Sequence, residues 1–256
     1  MTEPALIVIG AGGRLGRILR HCWGDGAAIY QERRDWDVLD PPPPLPRHAV
    51  WLNLAGVTGA GCAVNAALAL GVARAVQAHD GRHLFLSSVA VYGGGAGVMR
   101  ETDAPAPLTD YGRSKYEAEQ ALATIPHDHC ILRLANVAGA DALSRAGQGV
   151  VLDPISSGPS GPIRSYIGPL TLAHALRGLA AVDHLPQCLN LAQNQAVAMG
   201  DLLTALGRDW HFGPPRADVL ERMVVDNERL RNVLHLPPCS VESLAAEVAQ
   251  LGKGPP

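Results

Sequence analysis

Short, wholly apolar runs alternate with longer mixed stretches through the first half of the chain. Residues 5–9 (ALIVI) form the first run; it ends at GAGGRLG, and 17–20 opens a helical stretch, so a strand, a glycine turn and a helix follow one another. A second strand is predicted near 27–30. The poorly apolar piece 36–39 takes third place, and the prolines at 41–44 then end regular structure in a surface loop. Residues 49–55 (AVWLNLA) read as a buried fourth strand, 63–78 as an Ala-rich helix, 83–91 (HLFLSSVAV) as a fifth strand, 111–125 as a helix and 130–134 as a sixth strand. Continuous apolar strands separated by helices, at this spacing, predict an α/β chain built on a doubly wound parallel sheet.

The pattern loosens after about Gly139. Residues 147–161 are rich in Gly, Ser and Pro and predict a loop or lid over the sheet edge. Helices resume at 170–182, 199–206 and 241–251, with a short strand at 188–191 (CLNL), and 252–256 is expected to fray.

Composition narrows the function classes. The formal net charge of −3 excludes a strongly basic nucleic-acid binder, and 47% hydrophobic with 18% charged residues excludes a disordered chain. Aromatics are only 4%, so the core is aliphatic, while 28 Gly and 20 Pro point to many tight turns. The five cysteines form no CxxC pair and no Cys/His cluster, which predicts reduced thiols and no metal. The ten histidines, including His127 and His129, sit in no ligand pattern and are expected on the surface or at an interface. The N-terminus runs straight into an apolar strand without the features of a signal peptide, and no apolar stretch is long enough for a bilayer, so the expectation is a cytoplasmic protein without membrane contact.

Two motifs carry chemistry. In GAGGRLG, Gly10, Gly13 and Gly16 are spaced three apart: the first suits the tight turn, the second the approach of a pyrophosphate, the third close packing of helix on strand. Gly10, Gly13, Arg14, Leu15 and Gly16 are therefore candidate nucleotide-binding residues, with a helix N-terminus facing the anion. After the second strand, an acidic side chain would bond a ribose 2′-hydroxyl and an arginine would accept a 2′-phosphate. Glu32 stands between Gln31 and the pair Arg33 and Arg34, so NAD and NADP both remain open, with Gln31 and the arginines tipping the reading towards NADP.

The second motif is Tyr111-Gly-Arg-Ser-Lys115, a phenol and an ammonium on one helix face. A cation beside the phenol would draw its pKa towards neutrality, and Ser88, at a strand end, would bond the same substrate oxygen.

With SSVAVYG before it, Asn53-Leu54-Ala55-Gly56 at the fourth strand and Arg133-Leu-Ala-Asn136-Val-Ala-Gly139 after the sixth, the chain resembles the extended short-chain dehydrogenase/reductase superfamily of nucleotide-sugar epimerases, dehydratases and reductases. The resemblance implies an NAD(P)-binding Rossmann domain over 1–139 and a substrate-binding lobe over 140–256 whose helices return to the core. It implies Tyr111 as acid/base, Lys115 on the nicotinamide ribose and Ser88 polarising the reacting oxygen. Asp37 and Val38 correspond to the adenine contacts, Leu54, Ala55 and Gly56 to the adenosine side, Ser87 to the cofactor side, Asn136 to the substrate and nicotinamide side, and Arg164 to the arginine that binds a sugar nucleotide's diphosphate. It also implies a homodimer through the helix of the Tyr/Lys motif, although Ala118, Ala121 and Leu122 would suit the chain's own sheet equally well.

Departures narrow the reaction. Where 4,6-dehydratases carry an Asp-Glu pair this chain has Val89 and Ala90, and after Tyr166-Ile167 the usual valine and aspartates are replaced by Gly168-Pro169-Leu170-Thr171. The short second half implies either a substrate smaller than a full nucleotide sugar or a nucleotide end bound loosely and in part by solvent-exposed loops. The expectation is an NAD(P)-dependent oxidoreductase or epimerase acting on a secondary alcohol or ketone of a sugar nucleotide or similar polar metabolite. A cofactor-binding redox sensor without catalysis is the alternative.

Overall fold

The computed structural model describes residues 4–94, 97–145, 147–155, 158–216 and 218–252. The expected leaderless start at 1–3, most of the frayed terminus and part of the 147–161 loop lie outside the described residues. In chain order the elements are β1 (Leu6–Ile9), α1 (Arg14–Trp23), β2 (Ile29–Gln31), β3 (Val50–Asn53), α2 (Asn65–Ala78), β4 (Arg82–Ser88), β5 (Val98–Met99), α3 (Asp110–Leu122), β6 (Asp128–Leu134), β7 (Asn136–Val137) and α4 (Ala142–Arg145). They continue with β8 (Val150–Leu152), β9 (Ile163–Ile167), α5 (Pro169–Ala181), β10 (Cys188–Leu191), β11 (Ala196–Ala198), α6 (Met199–Ala205), β12 (Trp210–Phe212), β13 (Arg222–Val225), α7 (Glu228–Val233) and α8 (Val241–Leu251).

Six strands form the central sheet in the order β10-β6-β4-β3-β1-β2, all parallel. Both faces are covered, which is why β1 and β3 are buried along their whole length. Leu6, Val8, Leu52, Leu84 and Leu132 face α1 and α5 in one apolar layer. The alternate residues Ile7, Ile9 and Trp51 face α2, and Phe85 packs between α2 and α3. Ala118 and Leu122 lie in that second layer, fully buried against the chain's own residues, and Ala121 is half-buried.

The piece 36–39 forms no strand, so Val50–Asn53 is the third strand in chain order, not the fourth. Trp36 and Val38 instead plug their side chains against Trp51 and α2, with the Trp36 indole donating to the Asp40 carbonyl. An isolated apolar pair at i and i+2 anchors a loop here because no neighbouring edge receives its backbone. Within 147–161, residues 150–152 form β8, paired with β12.

A second sheet, ordered β11-β9-β13-β5 with β7 also on β9, stands at the carboxyl end of the first. Helix α5 returns to the central sheet and begins with Gly168 as N-cap and Pro169 at its first position, without a side-chain cap of its own. Glu247 of α8 supplies the cap: its carboxylate accepts from the Leu170 and Thr171 amides at 2.8 and 2.9 Å and from the Thr171 hydroxyl at 2.5 Å. A negative charge at an N-terminus satisfies both the orphan amides and the helix dipole.

All five cysteines are free thiols. Burial pushes Cys130 and Cys188 up to about 12 and Cys239 up to about 11, so these stay protonated and unreactive. Among the described residues no helix is long and apolar enough to cross a membrane.

The expectation of surface histidines fails at His83, which is fully buried on β4. Asn53 Oδ1 accepts from the Ala55 amide, so Asn53 Nδ2 donates to His83 Nε2 at 3.1 Å. His83 Nδ1 then carries the hydrogen and donates to His127 Nε2, also at 3.1 Å. His127 in turn donates from Nδ1 to the Ile125 carbonyl and stacks on His129. Burial, and next the neighbouring His127 and His129, hold His83 well below the ordinary 6.5; burial also lowers His127. The folded state therefore keeps both rings neutral while the unfolded chain takes up protons near 6.5. This contribution to stability is complete above about pH 6.5 and is lost as the pH falls from there towards the depressed folded values. The thermal midpoint is expected to drop between about pH 7 and 5, and His83→Gln to flatten that slope; an unchanged slope in the variant assigns it to other groups.

Candidate active site

The strand order reverses between β1 and β3, and a furrow crosses the carboxyl ends of the strands at that point. Its outer arm has a volume of about 480 Å³ and its inner arm about 390 Å³; Gly10, Gly13, Leu54 and Gly56 line both. Gln31, Arg33, Arg34, Asp37, Val38 and Ala55 line the outer arm. Arg14, Leu15, Gly16, Ser87, Ser88, Tyr111, Lys115 and Asn136 line the inner one. Ser88, Tyr111 and Asn136 also border a hollow of about 270 Å³ on the far side, where Arg164 lies. The structure thus gathers every residue singled out from sequence around one connected space.

The glycine turn is dictated sterically. Gly10 has φ +79°, and a Cβ there would stand 2.9 Å from the Ala55 amide nitrogen. A Cβ on Gly16 would stand 2.4 Å from the Ala11 carbonyl oxygen, so only glycine lets α1 pack this closely on the turn. Gly13 caps α1 with no side chain between the helix N-terminus and the furrow. At the outer rim Glu32 is held by Arg20 at 3.5 Å and Arg34 at 3.2 Å, while Arg33 pairs with Asp37 at 3.2 Å. Gln31 Oε1 is buried there without a hydrogen-bond partner. An unpartnered acceptor beside an open glycine cradle fits a bound dinucleotide.

At the inner end, β4 delivers Ser88 and the N-terminus of α3 delivers Tyr111. Thr109 caps α3 by accepting from the Gly112 amide, fixing where the helix starts. Ser88 Oγ accepts from the Ala90 amide at 3.2 Å. Burial raises the Tyr111 phenol above its ordinary value, against the lowering effect of its hydrogen bond with Ser88. This corrects the expectation of a phenol drawn towards neutrality by Lys115. The Lys115 ammonium donates to the Leu86 carbonyl at 2.8 Å and sits 4.9 Å from the centre of the Phe85 ring. Burial pulls this ammonium down to about 8, opposed by Glu119. Gly56 leaves the space it fills, since a Cβ there would be 3.1 Å from Lys115 Nζ.

Sequence reasoning missed the layer beneath these groups. Glu119, one helical turn beyond Lys115, accepts from the Ser87 hydroxyl at 2.5 Å and forms a buried ion pair with Arg133 at 2.8 Å. Arg133 lies over the Tyr92 ring, and Tyr92 donates to Asn190. Asn65 accepts from the Val57 amide and donates to the Val57 carbonyl and to Ser114 on α3, tying the loop after β3 to the helix of the Tyr/Lys motif. The i, i+4 spacing of Lys115 and Glu119 was the available signal.

A family model described as the RmlD substrate binding domain matches residues 58–148. No curated protein matches the sequence. Among solved structures, the UDP-N-acetylglucosamine 4-epimerase from Methanobrevibacter ruminantium M1 superposes with a TM-score of 0.79 at 16% identity, covering 99% of each chain. The dTDP-4-dehydrorhamnose reductase from Bacillus anthracis, in complex with NADP, gives 0.76 at 18% identity over 97% of this chain and 99% of that one. MoeE5, in complex with UDP-glucuronic acid and NAD, gives 0.75 at 20% over 97% and 99%. The chain shares the Rossmann-like α/β fold of these structures.

Within this Rossmann-like fold, the positions directly after Ser88 open a one-turn helix of residues 89–92, and Val89 and Ala90 bring no titratable group to the hollow. The Gly168-Pro169 departure leaves the following helix capped all the same, because Glu247 provides the carboxylate.

Proposed function

We propose that the chain is an NAD(P)-dependent oxidoreductase or epimerase of the short-chain dehydrogenase/reductase type, acting on a secondary alcohol or ketone. The observation that carries this reading is the Ser88–Tyr111 pair, which borders the furrow on one side and a smaller hollow on the other. Gly10, Gly13 and the N-terminus of α1 would hold the pyrophosphate, Asp37, Val38 and the 54–56 loop the adenosine, and Lys115 the nicotinamide ribose. When bound, the cofactor supplies or accepts hydride.

The chain's own residues handle the proton. Because burial keeps the phenol protonated at neutral pH, Tyr111 Oη donates to the substrate oxygen as negative charge develops on it. Ser88 Oγ bonds the same oxygen and orients it. Dehydration is excluded from the proposal, since it needs a second acid and base where Val89 and Ala90 stand. NADP is the favoured cofactor: the Glu32 charge that would repel a 2′-phosphate is balanced by Arg20 and Arg34, and Arg33 and Arg34 stand on the rim.

Denaturing the purified protein and identifying any released nucleotide by mass, followed by titration of NADPH and NADH, tests this reading. Tighter binding of NADPH is expected, weakened about tenfold by Arg34→Ala as a charge-assisted contact is lost. Stoichiometric release of NAD transfers the reading to a recycling epimerase with Glu32 on the ribose; binding of neither nucleotide defeats it.

A further inference from the structure

The hollow beyond Ser88 and Tyr111 has an uneven chemistry. Its available polar groups stand at one end, where Ser88, Tyr111 and Asn136 meet the furrow. The hydroxyl of Thr109 accepts from the Gly112 amide as the cap of α3. The remaining walls are Val89, Leu108, Leu220 and Met223, with Leu220 packed over Gly94, where a Cβ would fall 2.3 Å from the leucine Cδ1. Leu108, 68% exposed, forms an apolar lip.

Arg164 is the one basic side chain among the described residues lining this hollow. Both terminal nitrogens already donate to the backbone. One donates to the carbonyls of Ile163 at 2.9 Å and Glu221 at 3.3 Å, the other to the carbonyl of Leu220 at 2.7 Å. The side chain straps β9 to the segment leading into β13, alongside the Ile163 amide to Glu221 carbonyl bond and the Arg164–Met223 register pair. Moving the guanidinium further into the hollow to meet a diphosphate would break its bonds to three carbonyls, two of them on the segment that forms the apolar wall.

We propose that this hollow takes a compact, uncharged ketone or secondary alcohol, with its oxygen at the Ser88–Tyr111 end and an apolar flank against Leu220 and Met223, and that Arg164 is a backbone strap and not a diphosphate receptor. The inference rests on the reading of Ser88 and Tyr111 as the reacting end. A volume of about 270 Å³ suits such a molecule.

The test starts by saturating the full chain with whichever nicotinamide nucleotide it binds, which settles the cofactor reading on its own. UDP, dTDP and UDP-glucose are then titrated by calorimetry to about 5 mM, and the oxidation of reduced cofactor is followed with cyclohexanone, 2-pentanone and related neutral ketones. The expected results are no saturable nucleotide binding, and ketone reduction whose kcat/KM falls about tenfold or more in Leu220→Trp while cofactor affinity is unchanged. Saturable binding of UDP or dTDP below about 0.1 mM overturns the proposal. So does a cofactor-loaded protein that reduces none of the ketones. Failure to bind either nucleotide removes the cofactor reading first, and this inference with it.

Discussion

Tyr111→Phe is expected to lower kcat by about 10²- to 10⁴-fold, the contribution of a positioned general acid, while cofactor affinity stays within about twofold. The phenol lines both the furrow and the hollow, and burial raises it above its ordinary value, so it enters the proposed reaction as the proton donor. Phenylalanine keeps the ring and its packing and removes only Oη. Single-turnover kinetics with reduced cofactor separate the proton-transfer step from binding. A variant that turns over normally would take the proton transfer away from Tyr111; a variant that no longer binds cofactor would give Tyr111 a structural role.

The second large effect is on stability. Glu119 and Arg133 are an ion pair with 4% and 7% of their side chains exposed, and one Arg133 nitrogen, Nη1, is buried without a partner. Burial by itself would lower the guanidinium; the bonds and charge of Glu119 raise it above its ordinary value. Glu119→Leu strands that cation in the core and also strips the Ser87 hydroxyl of its acceptor. The expected loss is about 3–5 kcal/mol in denaturant-induced unfolding. The double variant Glu119→Leu with Arg133→Met is expected to recover most of it, because replacing both charges removes the desolvation penalty that breaking one exposes. If the double variant is as unstable as the single one, the network acts through packing and not through charge. The pair lies directly under Lys115 and Ser87, so its loss also frees the two elements that carry the inner end of the furrow.

Much of this was legible in the chain, and the reasons are local. The central sheet was readable because its strands are buried on both faces, leaving apolar runs such as ALIVI and VWLN that helices separate. The glycine turn was readable because its requirements are steric and sit within seven residues. The second sheet was not, since β5 and β7 are two residues each and their partners β13 and β9 lie far along the chain. The Trp36–Val38 pair looked like a poor strand because periodicity does not distinguish a buried anchor from a paired edge. The histidines misled for the same reason: His83 is polar by type, and only the lateral register of β3, β4 and β6 sets it between Asn53 and His127. Lys115 followed its helical spacing from Tyr111, but spacing fixes where a side chain starts, and the Leu86 carbonyl decides where its ammonium rests.

Helix α5, which covers one face of the central sheet, is completed at its first turn by a carboxylate more than seventy residues further on. During synthesis the sheet can assemble strand by strand, yet this helix emerges with its leading amides bare and keeps them so until α8 has left the ribosome. The order of translation and the order of closure therefore differ: the carboxylate that completes α5 is made more than seventy residues after the helix it caps.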